Sequence, residues 1–112
     1  MKITLLGTGD APGTPVIGCT CPACTDAQNG GRSRRTRSSI LVESEKGKVL
    51  VDTGPDLRSQ LLGNSVRHVD GVIWTHTHYD HFAGFAEFHR VQYNVDVYGI
   101  KETLDYILEY LH

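Results

Sequence analysis

The chain has 112 residues, 39% of them apolar and 21% charged, with a formal net charge of -2. That balance is ordinary for one small globular domain spanning residues 1–112, and it gives no basis for strong attraction to nucleic acid or an anionic membrane. Met1-Lys2 leads straight into Ile3-Thr4-Leu5-Leu6-Gly7, an apolar run too short for an export signal or a membrane span, so a cytoplasmic location is expected.

In chain order, Lys2 to Leu6 reads as a first strand, and the glycine- and proline-rich Gly7 to Pro15 as a rigid loop. Its glycine spacing does not match a dinucleotide fingerprint, and two prolines interrupt where a helix would have to start. Next come three cysteines, Cys19, Cys21 and Cys24, within six residues. An odd, tight group without an export signal argues against a disulfide framework and for thiolate chemistry. Three soft thiolates in one loop suit a structural zinc that needs one further ligand; buried thiols or a redox switch are the alternatives. Arg32, Arg34, Arg35 and Arg37 follow. They could grip a phosphate with guanidinium forks or form a solvated loop, and no aromatics interleave to favour single-stranded nucleic acid.

Ser39 to Glu43 and Lys48 to Asp52 read as a hairpin around Ser44-Glu45-Lys46-Gly47. Asp56 to Leu62 predicts a short helix, Asp70 to Thr75 a buried strand, Phe82 to Arg90 a helix and Val95 to Tyr98 a strand. The last segment predicts the clearest helix, because Leu104, Ile107, Leu108 and Leu111 fall at i, i+3, i+4 and i+7. Trp74 is expected in the core, His68 at the surface, and His89 at the surface or in packing, though it could complete the cysteine site. Alternating strands and helices give an α/β (α+β) class.

The run His76-Thr77-His78-Tyr79-Asp80-His81 directly after the buried strand carries the most information. Four of its six residues can ligate a metal, and His76 and His78 project to one side of an extended segment. Imidazole nitrogen and carboxylate oxygen suit zinc, manganese or iron. The pattern predicts a metal site, half of a two-metal site.

His76-x-His78-x-Asp80-His81, Asp52-Thr53-Gly54 at an earlier strand end and the opening Leu6-Gly7-Thr8-Gly9 together resemble the metallo-β-lactamase-fold hydrolases. The resemblance implies the N-terminal half of an αββα sandwich. It pairs His76 with His78 on one divalent ion and Asp80 with His81 on a second, zinc or manganese. Asp52 would orient a ligand from outside the first coordination sphere; it could instead cap the turn after its strand. The nucleophile would be a water held between the two ions, deprotonated near neutral pH. No Ser or Cys triad is evident.

The cysteine loop, with Gly13 to Gly18 before it, Asp52 to Arg58 and Phe82-Ala83-Gly84-Phe85, is similar to the PhnP-type branch, cyclic phosphodiesterases acting on phosphoribosyl 1,2-cyclic phosphate. The pyrroloquinoline-quinone accessory proteins have a similar cysteine loop, but usually lack the full His-Asp-His motif. An RNA-processing nuclease of the tRNA 3′-end type shares the glycine opening without needing the cysteines. A non-catalytic zinc-binding half-domain and a glyoxalase-like thioesterase are the other readings.

The resemblance covers nearly all of this chain but only the first half of the family fold. The family's further His and bridging Asp ligands, its His ligand to the cysteine zinc and a substrate-side His lie beyond it. The chain is therefore expected to be a fragment, a split half needing a missing C-terminal half, or a unit that self-associates. Weak or absent activity alone is the matching expectation.

Overall fold

A computed structural model of the chain describes residues 1–88, 90, 92 and 94–111. The reading of His89, and of His112 as simply the last residue, lies outside the described residues. Five strands form one mixed sheet in the order β1 (Lys2–Gly7), β2 (Ser39–Ser44), β3 (Gly47–Val51), β4 (Gly71–Ile73), β5 (Asp96–Tyr98). The first three run antiparallel, and β3, β4 and β5 are parallel. The expected hairpin is present, with Leu41 opposite Leu50 and Ser44 opposite Gly47.

Side chains alternate across a strand, so the register sorts them into two faces. Leu41, Leu50 and Val72 stand on one face and are buried. Against them pack Leu57 and Leu61 of α2 (Leu57–Gly63), Phe85 and Phe88 of α3 (Phe85–Phe88) and Ile107 of α4 (Lys101–Tyr110). The opposite face carries Ile3, Leu5, Ile40, Val42, Val49, Val51, Ile73 and Tyr98 in register. It remains open at Ile3 (61% exposed), Leu5 (63%) and Tyr98 (53%). One helical layer on one sheet, with a second apolar sheet face left bare, is half of a four-layer sandwich.

Four local readings change. The helix read as Phe82 to Arg90 is the short Phe85–Phe88, with 82–84 in a turn. The cysteine segment is not all loop, since α1 (Pro22–Gln28) starts there with Cys21 as its cap and Pro22 in its first turn. The strand read as Asp70 to Thr75 is shorter, because the Thr75 N–H turns away from the ladder to a side chain, Asp52. In α4 the apolar stripe is rotated: Ile107 and Thr103 are buried, Leu104 and Leu111 are half-buried, and Leu108 is 49% exposed. Trp74 is in the core as expected, edge-on to Phe85 with ring centroids 5.1 Å apart. His68 is at the surface.

Candidate metal centre

Parallel pairing sets Val51 beside Ile73, so the carboxyl ends of β3 and β4 open at one edge of the sheet, where α/β folds place their ligands. Asp52 is the first residue past β3. Its φ of 65° is a left-handed conformation that Asp tolerates better than most side chains. The turn is pinned: Asp52 N–H donates to the Ile73 carbonyl at 2.8 Å, and the Ser39 hydroxyl donates to the Asp52 carbonyl at 2.8 Å.

That backbone aims a buried carboxylate at the motif. Asp52 Oδ1 accepts from the Thr75 N–H at 2.9 Å. Its Oδ2 lies 2.7 Å from the Thr75 hydroxyl and 2.7 Å from His81 Nδ1. The chain after β4 runs extended through His78 and then makes a short 3-10 turn, Tyr79–His81, which returns Asp80 and His81 to the same place. The His81 carbonyl accepts from the Thr53 N–H at 2.9 Å, tying the end of the motif to the Asp52 turn.

The rings converge. His76 lies 4.1 Å from His81 and 4.6 Å from His78, centroid to centroid. Asp80 is buried, and its Oδ2 is 3.1 Å from His81 Nε2. With the His81 Nδ1 proton directed at Asp52, a neutral ring presents a bare Nε2 lone pair to a carboxylate oxygen. Such a contact calls for a second proton on the ring or for a cation shared by both groups. Imidazole nitrogens and carboxylate oxygens are the donors that zinc or manganese takes, so the residues fit a divalent ion. Asp52, His76 and His81 offer ligand atoms within 4.8 Å of one another. Both Asp52 oxygens also serve hydrogen bonds, Oδ1 to the Thr75 amide and Oδ2 to the Thr75 hydroxyl and His81. His78 is exposed on the open side, and His81 approaches His76 at least as closely as His78 does.

The three cysteines form a second cluster, with sulfurs within 4.8 Å of one another. Cys21 Sγ accepts from the Cys24 N–H at 3.4 Å, and Cys24 Sγ from the Val16 N–H at 3.4 Å. The Cys24 amide, then the Cys19 thiol, hold the exposed Cys21 below the usual thiol range. At Cys24 the Val16 amide pulls the thiol down, but its neighbouring thiols and burial outweigh it and leave it raised. Three sulfurs at this spacing suit a soft ion, and no fourth donor joins them among the described residues.

The arginine loop divides. Arg37 is a staple, with NH1 3.2 Å from Asp56 and Nε donating to the Ala11 carbonyl at 3.0 Å. Arg35 folds back on the carbonyls of Arg32 and Arg34, and all three of these are exposed. Thr75 is the functional candidate that sequence reasoning missed. Its only signal was a hydroxyl immediately before the first motif histidine.

The metallo-beta-lactamase superfamily profile matches residues 32–111. An octanoyltransferase of Porphyromonas gingivalis is 35% identical over 115 residues, covering all of this chain and 23% of that protein. The crystal structure of a diphosphatase from the PhnP family superposes with a TM-score of 0.81 at 32% identity, over 97% of this chain and 46% of that one. Zinc-bound PqqB from Methylobacterium extorquens gives a TM-score of 0.84 at 25% identity, over 96% and 40%. The chain thus spans less than half the length of each of these relatives. Profile match, fold and motif order agree that this chain belongs to the metallo-beta-lactamase superfamily.

Proposed function

We propose that this chain is the metal-binding half of a metal-dependent phosphodiesterase acting on a small cyclic phosphodiester. The observation that carries the reading is the Asp52–His81–Asp80 arrangement, with the His76 ring beside His81 and His78 exposed next to it. The likeness to a PhnP-family diphosphatase at 32% identity and the cysteine trio support phosphoryl substrates over RNA. His76, His78, Asp80 and His81 would hold one or two divalent ions, zinc or manganese, and Cys19, Cys21 and Cys24 a structural zinc. When bound, the divalent ions at the histidines supply Lewis acidity toward a phosphoryl oxygen and an attacking water. The chain's own contribution is orientation: Asp52 holds His81 by one nitrogen so that the other faces the ion site, and the 3-10 turn keeps Asp80 beside it.

The remaining ligands and the walls that read the substrate belong to partner structure laid on the open sheet face, either the rest of a longer polypeptide or a second copy. No described helix is long and apolar enough to cross a membrane.

The test is hydrolysis of an aryl phosphodiester and a ribose cyclic phosphate, with an RNA substrate beside them, by this chain and by any longer polypeptide that contains it. Zinc, manganese or a chelator is added in turn. Chelator-sensitive turnover of the small phosphodiesters, lost in His76→Ala, is the expected result for the site completed by its partner structure. Metal that raises the melting temperature without any turnover there would instead make this a zinc-binding module. A preference for RNA would favour the nuclease reading.

A further inference from the structure

Thr75 Oγ1 lies between two partners, 2.7 Å from Asp52 Oδ2 and 2.8 Å from His76 Nδ1. A hydroxyl has one proton to give. The Asp52 carboxylate can only accept, so the Thr75 proton goes to Oδ2. The Thr75 oxygen must then accept, and its remaining neighbour is His76 Nδ1, which has to carry the proton. His76 Nε2 is left as the lone pair. The same carboxylate oxygen takes the Nδ1 proton of His81 at 2.7 Å. One buried anion therefore sets both rings, His81 directly and His76 through a hydroxyl.

We propose that Thr75 is a positioning residue that fixes His76 as its Nδ1–H tautomer and so presents Nε2 to a divalent ion. The inference rests on the reading of His76 as a ligand. A neutral histidine in water favours the opposite tautomer, with the proton on Nε2, so a free His76 would have to shift that proton before binding. Hydrogen-bond partners on the far nitrogen of a ligating histidine typically matter by about 10–100-fold in metal affinity. Thr75 is exposed, where water competes for its bonds, which places the effect near tenfold.

The test uses the metal-free 112-residue chain with 15N-labelled histidine, near pH 8.5, well above the range of a model imidazole. Long-range nitrogen–proton correlation spectra read the tautomer of His76. Mn2+ alone is then titrated and followed by electron paramagnetic resonance, since the cysteine cluster prefers softer ions and competes little. Wild type and Thr75→Ser should show Nδ1–H at His76 and similar Mn2+ affinity. Thr75→Val should shift His76 toward Nε2–H and bind Mn2+ about tenfold more weakly. An Nε2–H His76 in the wild type, or an unchanged Mn2+ affinity in Thr75→Val, overturns the proposal. The wild-type tautomer needs no variant, so a misfolded Thr75→Val still leaves a decision. Failure of the wild type to bind Mn2+ would count against the metal-site reading, while the tautomer would still decide the role of Thr75. Neither readout depends on hydrolysis of any substrate.

Discussion

The Asp52 carboxylate lies 2.7 Å from His81 Nδ1, and this contact turns the other ring nitrogen toward Asp80, 3.1 Å away. Asp52→Asn isolates that relationship. Asn keeps the left-handed backbone nearly as well as Asp, so the turn after β3 should survive. What changes is chemistry: an amide can offer N–H groups where two donors, the Thr75 hydroxyl and His81 Nδ1–H, now converge on one oxygen. The expected outcome is a metal-free protein with nearly unchanged circular dichroism and a stability lower by about 1–3 kcal/mol, the cost of a buried donor facing a donor. Its affinity for zinc or manganese at the histidine site should fall by about 10–100-fold. Isothermal titration checks it, and unchanged affinity would remove Asp52 from the site.

The cysteine cluster makes a separable prediction. Cys24 is buried, and its sulfur accepts the Val16 amide, so Cys24→Ser alters the centre of the trio while leaving α1 capped by Cys21. The protein as purified should lose one equivalent of zinc by elemental analysis, and the His76→Ala protein should keep that equivalent. Equal zinc content in wild type and Cys24→Ser would leave the three thiols as packing groups only.

Much of this was legible in the sequence because its signals are local. The hairpin followed from period-two alternation across a turn, and the ligand run from residue chemistry at short spacing. Asp52 was legible as a carboxylate at a strand end, yet its partner Thr75 was not, since their meeting depends on β3 and β4 lying side by side with Val51 beside Ile73. The α4 stripe was misplaced for a related reason. Periodicity shows that one face is apolar, but how the helix rolls depends on the tertiary core it meets: Ile107 is buried there, and Leu108 ends outside. The α1 helix had its signal in Cys21-Pro22, which the metal-binding reading of the cysteines overshadowed.

Gly84 probes how the motif loop is held. Its N–H donates to the Thr53 carbonyl at 3.0 Å, and a Cβ there would overlap the Gly54 carbonyl and crowd Leu57. Both obstacles belong to the Asp52-Thr53-Gly54 turn and the start of α2, neither of which can yield without moving Asp52. Gly84→Ala should therefore lower stability by about 1–3 kcal/mol, as overpacking does, and weaken metal binding with it. Urea unfolding with and without manganese reads both effects. A variant as stable as wild type would show that the loop is slack.

The open sheet face predicts how the isolated chain behaves in solution. Ile3, Leu5, Ile40, Val42, Val49, Val51, Ile73 and Tyr98 share it, and the helices lie on the other side. A contiguous apolar surface of this kind is uncommon on a monomer and drives association. Leu5 is 63% exposed on the edge strand β1, so replacing it should disturb little of the helix-side core. Leu5→Lys adds a charge at the β1 edge of the face, where burial without a partner is costly. The wild-type chain should sediment as a concentration-dependent oligomer, and Leu5→Lys should shift it toward monomer with the midpoint of unfolding, extrapolated to low concentration, changed by under about 0.5 kcal/mol. If the wild type sediments as a monomer at high micromolar concentration, the bare face is not self-complementary. The search for a covering partner would then turn to structure like the further length of its relatives, since this chain spans 46% of the PhnP-family diphosphatase.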